Sequence, residues 1–160
     1  MILTIKDSAG REFKIDKHDY TKFGHITWSV EKRGYVINVR RPGGKKKVTY
    51  LHRVIMDPKD GLVVDHIDGD KSNNSKSNLR VCTEAQNSRN RKVLKKNKTS
   101  RYLGVRYKTG SGRRKRWSAR ITFNGKEISL GIFLTQEEAA FAYDMAAKKY
   151  FGSFANINFK

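Results

Sequence analysis

Four residues in the middle of the chain have the types and order that phosphate-ester chemistry needs: Asp65-His66, then Asn78, then Asn87. A hard divalent cation takes oxygen ligands and accepts one or two from the protein, with water and phosphate oxygens supplying the rest. The Asp65 carboxylate and the Asn87 amide carbonyl are ligands of that kind. If extended geometry holds to the end of the strand, His66 is expected to point to its other side and stand off the metal, where an ordinary pKa of about 6.5 suits a base for water at neutral pH. An Asp-His pair on its own is more often a polar loop with a satisfied histidine. A calcium loop built from Asp65, Asp68 and Asp70 fails on spacing, because Lys76 stands where the closing glutamate belongs.

These residues need a scaffold of short elements. Leu62-Val63-Val64 reads as a strand running into Asp65-His66, and Leu79-Arg80-Val81 as a second strand after a loop rich in Gly, Asp, Ser and Asn. Thr83-Glu84-Ala85-Gln86 is a capping box, so a helix is expected from there to about Arg91, with Asn87 early in it. Upstream, strands are expected at Ile2–Ile5, Glu12–Ile15, Ile26–Val30, Tyr35–Arg40 and Val48–Tyr50, separated by turn-like segments. Leu51–Met56 suits a strand or a short helix.

The C-terminal sixty or so residues have a second plan. Asn124-Gly125 is a strong hairpin signal. Folding about it pairs Thr122 with Glu127, Arg120 with Ser129, Ala119 with Leu130 and Trp117 with Ile132. That register puts Trp117, Ala119, Ile121, Ile128, Leu130 and Ile132 on one face, and Ser118, Arg120, Thr122, Glu127 and Ser129 on the other. Tyr102–Lys108 alternates likewise, with Leu103 and Val105 opposite Arg106 and Lys108. A second capping box, Thr135 to Glu138, opens a helix through about Tyr150, whose Ala140, Tyr143 and Ala147 form a packing stripe. The open sheet face stays polar and basic.

Charge indicates the partner. The 160 residues carry a net charge of +20, and residues 1–95 and 96–160 each contribute +10. Both halves are therefore expected to touch a polyanion, in the first place nucleic acid. Residues 89–98 hold six basic side chains and almost nothing to pack, which suits a strap along phosphates or a solvated linker. Aromatic content of 11% argues against wholesale disorder. A single cysteine, Cys82, excludes an internal disulfide and a multi-cysteine zinc site. With no apolar run long enough for a membrane span, an intracellular protein with no membrane partner is expected.

The segments Leu51-His52-Arg53-Val54-Ile55, Val64 to Asp70, Asn78 to Thr83 and Gln86 to Asn90 resemble the HNH homing endonucleases of phages and mobile introns. The resemblance spans roughly residues 15–92 and implies a ββα-metal finger, a hairpin and helix clasping one divalent cation. Carried over by position, it implies Asp65 and Asn87 as metal ligands, His66 as general base, Asn78 as the residue orienting the histidine loop, and a structural role for His52. Asn87 in the last motif position suggests Mg²⁺ or Mn²⁺.

Residues 99–159 resemble the Apetala-two/ethylene-response-factor DNA-binding domain through Tyr102 to Arg106, Trp117 to Ile121, Leu130 to Phe133, Glu137 to Ala140 and Asn158-Phe159. That domain lays its sheet in the major groove. Arg106 matches a base-contacting arginine, whereas Arg120, Thr122, Glu127 and Ser129 occupy contact positions with changed chemistry.

The expectation is an α+β protein in two domains, 1–92 and 99–160, joined by a basic linker over 93–98. The first is a ββα-metal nuclease and the second a three-stranded antiparallel sheet on one helix. The function expected is site-specific cleavage of double-stranded DNA by a monomer, the alternative being a catalytically inactive DNA-binding regulator. The residues expected to contact DNA are Arg40, Arg41, Lys45, Arg89, Arg91, Lys92, Lys95, Lys96, Arg106, Lys108, Arg116, Arg120 and Thr122.

Overall fold

The structure, a computed structural model, describes residues 1–89, 99–108 and 116–159. The chain divides into two compact units, Met1–Asn87 and Ser88–Lys160. Arg91, Lys92, Lys95 and Lys96, and with them the basic strap, lie outside the described residues.

The first unit is built from small sheets. The hairpin β1 (Ile2–Lys6) and β2 (Glu12–Asp16) is followed by α1 (Lys17–Phe23). A second antiparallel sheet orders β3 (Ser29–Val30), β4 (Val36–Arg40) and β5 (Lys47–Tyr50). Leu51–Met56 forms a helix, α2. Next come β6 (Val63–His66), β7 (Asn73–Asn74), β8 (Leu79–Cys82) and α3 (Glu84–Arg89). β7 joins β2 in parallel, and β6 pairs with β8.

Alternation along β2 turns Phe13 and Ile15 inward, where they meet Trp28, Val30, Val36 and Leu51. This core joins residues of the first two sheets to Leu51 of α2. Asp7 ties the sheets together: its carboxylate accepts the Val30 N–H at 2.9 Å and the Ala9 and Arg11 N–H groups. The Val30 hydrogen bond foremost, with the Arg11 backbone and guanidinium, lowers its pKa to about 2.

α1 has no counterpart in the sequence reading, because Lys17-His18-Asp19-Tyr20 shows no apolar period. Phe23 at its end packs against the core, and its other ties are polar. Asp16 Oδ2 accepts the Lys76 N–H at 2.7 Å, and Lys76 Nζ lies 3.1 Å from Asp19 Oδ1.

In the second unit, β9 (Val105–Lys108), β10 (Arg116–Phe123) and β11 (Lys126–Phe133) form an antiparallel sheet ordered β11-β10-β9. α4 (Gln136–Phe151) opens with the expected capping box, Thr135 with Glu138. Val105, Ala119, Ala139 and Ala140 form a compact core with Tyr102, Trp117, Leu130 and Phe133 around it. Gly104 permits this approach: its φ is 70°, and a Cβ there would strike the Tyr143 ring and the Arg120 carbonyl. The strand β9 begins only after this turn, so Leu103 is not part of the alternation expected of it.

The hairpin register needs correcting. Thr122–Glu127, Ile121–Ile128 and Arg120–Ser129 pair as expected, but the ladder then shifts to Ala119–Gly131, Ser118–Ile132 and Trp117–Phe133. Leu130 is the extra residue of a bulge, and Gly131, at φ 123°, takes up the distortion. The shift exchanges faces: Phe133 joins the core, while Ile132 lies opposite Ser118 and is 47% exposed.

The C-terminal segment is locked to the same unit. Buried Asp144 accepts the Asn158 and Phe159 N–H groups at 2.8 and 2.9 Å. Asn158 Oδ1 in turn accepts the Leu103 N–H at 2.7 Å. No helix among the described residues is long and apolar enough to cross a membrane.

Candidate active site

Asp65 and His66 end β6, and both are buried, with 6% and 5% of their surface exposed. Asp65 stands opposite Arg80 in the β6–β8 ladder. Arg80 donates from Nε and Nη2 to Asp65 Oδ2 at 2.9 and 2.7 Å. Sequence reading passed over Arg80; the signal was its place in the strand expected to follow the loop, which an antiparallel pairing sets across from Asp65.

Asn78 pins the loop that follows His66. Its backbone carbonyl accepts the Ile67 N–H at 2.9 Å. Its side-chain oxygen accepts the Asp68 N–H at 3.0 Å, and its Nδ2 donates to Asp68 Oδ1 and to the Asn73 carbonyl at 2.9 and 2.8 Å. One buried amide thus closes the loop at both ends. The Asp68 and Asp70 carboxylates accept from the loop's own Asn73, Asp70 and Ser72.

His66 sits in an aromatic cluster drawn from separate elements. The His52 ring, from the first turn of α2, lies 5.1 Å from it in an edge-on arrangement, and the Tyr35 ring 6.2 Å away. Tyr50 and Tyr35 flank His52 at 5.6 and 5.4 Å, and Lys71 Nζ stands 4.3 Å over the Tyr35 ring. His52 is itself 6% exposed. Burial first, then the neighbouring His66 and Arg53, lowers its pKa to about 4. Burial also lowers that of His66, outweighing the opposing pull of Asn74 and the nearby aspartates. Both imidazoles are therefore neutral at pH 7. Nothing in residue spacing announces Tyr35, Tyr50 or Lys71.

Asn87 lies in α3, whose start is capped as expected: Thr83 Oγ1 accepts the Gln86 N–H, and Gln86 Oε1 accepts the Thr83 N–H. Among the described residues no group of three or more His, Cys, Asp or Glu could hold a metal ion. The two residues expected as ligands, Asp65 and Asn87, offer a carboxylate oxygen and an amide oxygen. That donor set fits a hard ion and not a soft one. Cys82 is buried and its thiol pKa is raised by burial, as suits a small apolar residue.

Among the described residues, those expected to contact DNA fall in three places. Arg40, Arg41 and Lys45 are exposed around the β4–β5 connection, where Arg40 and Lys47 also line a groove with Trp28 and Asn38. Arg106, Lys108, Arg116, Arg120 and Thr122 lie on β9 and β10, and Arg106, Lys108 and Arg120 line one shallow depression. Arg89 is in α3.

The chain is similar to several known proteins. A family model described as HNH endonuclease matches residues 49–89, which include His52, Asp65, His66, Asn78 and Asn87. An uncharacterized HNH endonuclease of Acanthamoeba polyphaga mimivirus is 33% identical over 134 residues, 82% of this chain and 66% of that one. An ethylene-responsive transcription factor of Arabidopsis thaliana is 50% identical over 62 residues, 38% of this chain and 14% of that protein. A solved structure of DNA binding and cleavage by an HNH homing endonuclease is 37% identical, covers 41% of this chain and 40% of that one, and has a TM-score of 0.35. The chain thus spans just under two thirds of the viral relative and a small part of the plant protein. Residues 49–89 match the HNH endonuclease family model, and the C-terminal region is similar to AP2-like ethylene-responsive transcription factors.

Proposed function

We propose that the protein is a site-specific endonuclease of double-stranded DNA. The observation carrying this reading is the buried Asp65-His66 pair at the end of β6, with its loop closed by Asn78 and its carboxylate held by Arg80. His66, neutral at pH 7, takes the proton from a water that attacks phosphorus. Asp65 and Asn87 would hold a divalent cation, Mg²⁺ or Mn²⁺, which would supply charge stabilisation to the phosphate and the departing 3′-oxygen. Arg80 fixes one Asp65 oxygen and so fixes the direction of the carboxylate. Cleavage leaves a 5′-phosphate and a 3′-hydroxyl.

Affinity comes from phosphate contacts by Arg40, Arg41, Lys45 and the basic segment over 89–98, which carry no sequence information. Discrimination comes from the open face of the C-terminal sheet. The protein acts as a monomer. The domains are 1–92 and 99–160, with a basic linker between.

Supercoiled plasmid incubated with protein and Mg²⁺ or Mn²⁺ should be converted to open-circular or linear DNA, and EDTA should stop it. Loss of that conversion in His66→Ala, with binding retained, supports the assigned base. A wild-type protein that binds but never cuts with either metal would leave the chain a catalytically silent regulator.

A further inference from the structure

The open face of the C-terminal sheet carries an acid where a polyanion-binding surface has least use for one. Arg106, Lys108 and Arg120 line its depression together with Glu127. Glu127 faces Thr122 across the β10–β11 ladder, and Arg120 faces Ser129. Arg120 and Glu127 are thus diagonal neighbours on one face, and Arg120 Nη1 donates to Glu127 Oε1 at 2.7 Å. The two side chains are 34% and 54% exposed, so the pair can be reached from solvent. An ion pair so exposed gives the fold little.

A carboxylate on this face repels phosphate on every DNA sequence. It is offset only where the DNA presents a donor to it, or where the pair orients Arg120 better than solvent would. In the major groove guanine offers O6 and N7 to a guanidinium, and its partner cytosine offers an N4 amine to a carboxylate. The guanidinium has five N–H donors, and the bond to Glu127 leaves most of them for a base edge.

We infer that Glu127 is a specificity-determining residue, which holds Arg120 across the strands for a guanine and penalises sequences lacking a G·C pair at that position. The inference rests on the proposed reading of this sheet as the DNA reader.

The test uses the full chain without divalent metal, so that DNA is bound and not cut. Wild-type protein selects a preferred duplex from a randomised pool. Affinity is then measured for that duplex, for versions with each G·C replaced by A·T, and for a scrambled duplex. Glu127→Gln, which keeps shape and loses charge, should bind the scrambled duplex more tightly and lose about tenfold in preference at one G·C position. Arg120→Ala should lose preference at the same position, and adding Glu127→Gln to it should change that preference no further. If Glu127→Gln tightens all duplexes by one common factor, or if its effect on preference adds in full to that of Arg120→Ala, the inference is overturned and Glu127 is only an electrostatic brake. A wild-type chain that selects no sequence at all would overturn the reading of the sheet as well.

Discussion

Each unit carries an arginine–carboxylate pair across two antiparallel strands, closed in both cases at 2.7 Å: Asp65–Arg80 in the first and Arg120–Glu127 in the second. Their surroundings differ. The Asp65 and Arg80 side chains are 7% and 15% exposed, those of Glu127 and Arg120 54% and 34%. Distance alone therefore says nothing about what a pair does. A buried pair cannot lose one member without stranding a charge, so it fixes geometry. An exposed pair costs little to open, so it is free to answer a ligand. On the proposed function, the first belongs to a site that must be held still and the second to a face that must adapt to the DNA it meets.

The largest effects should come from the buried end of that contrast. His66→Ala should lower cleavage by about 10²- to 10⁴-fold, the usual worth of a general base, with DNA affinity nearly unchanged. Plasmid cleavage and equilibrium binding on the same samples measure both. Equal losses in the two would show His66 to be a binding residue. Asp65→Ala should be inactive at every practical Mg²⁺ concentration, whereas Asn87→Asp, which keeps an oxygen ligand, should retain some activity.

Next comes the pair itself. Arg80→Ala leaves the Asp65 carboxylate buried without its guanidinium and should cost about 3–5 kcal/mol in urea unfolding. Replacing both residues by apolar ones should recover most of that loss. If Arg80→Ala were as stable as wild type, the Asp65–Arg80 pair would belong with the exposed class.

Acid should weaken the first unit through His52. Its folded pKa of about 4 lies below the ordinary 6.5, so below pH 6.5 the unfolded chain takes up the proton first. Stability fully present above pH 6.5 is lost as pH falls towards 4, by up to about 3 kcal/mol from this group. His66 acts in the same direction. His52→Phe should flatten the slope between those pH values without abolishing it, as read by denaturation at pH 7 and pH 4. An unchanged slope would mean that burial does not hold the His52 ring neutral.

The sequence showed what is local. The capped helices α3 and α4, the strand ending in Asp65-His66 and the turn at Asn124-Gly125 each rest on residues within a few positions of one another. It did not show what depends on pairing across distance. Leu130-Gly131-Ile132-Phe133 is apolar in either register, so alternation could not reveal the bulge that moves Ile132 onto the open face. The cluster of Tyr35, Tyr50 and His52 around His66 obeys no spacing rule, because each ring comes from a different element. α1 is held in part by the Lys76 contacts of Asp16 and Asp19, sixty and fifty-seven residues apart, which no short pattern contains.

The smallest effect on folding should come from the exposed pair, and that makes it the sharpest test of the contrast. Arg120→Ala removes one of two solvent-reachable partners and leaves Glu127 in water, where its charge is readily solvated. The cost to the second unit should stay below about 1 kcal/mol. The same substitution should cost about 1–3 kcal/mol on a preferred duplex and less on a scrambled one, because base-edge contacts are lost and most phosphate contacts are kept. Unfolding and binding therefore move apart for Arg120, whereas for Arg80 stability itself should fall. An Arg120→Ala chain that unfolded several kcal/mol more easily would erase the distinction between the two pairs. One that lost the same affinity on both duplexes would make the sheet face an electrostatic cushion, and discrimination would then have to come from the strands around Arg40 and Lys47.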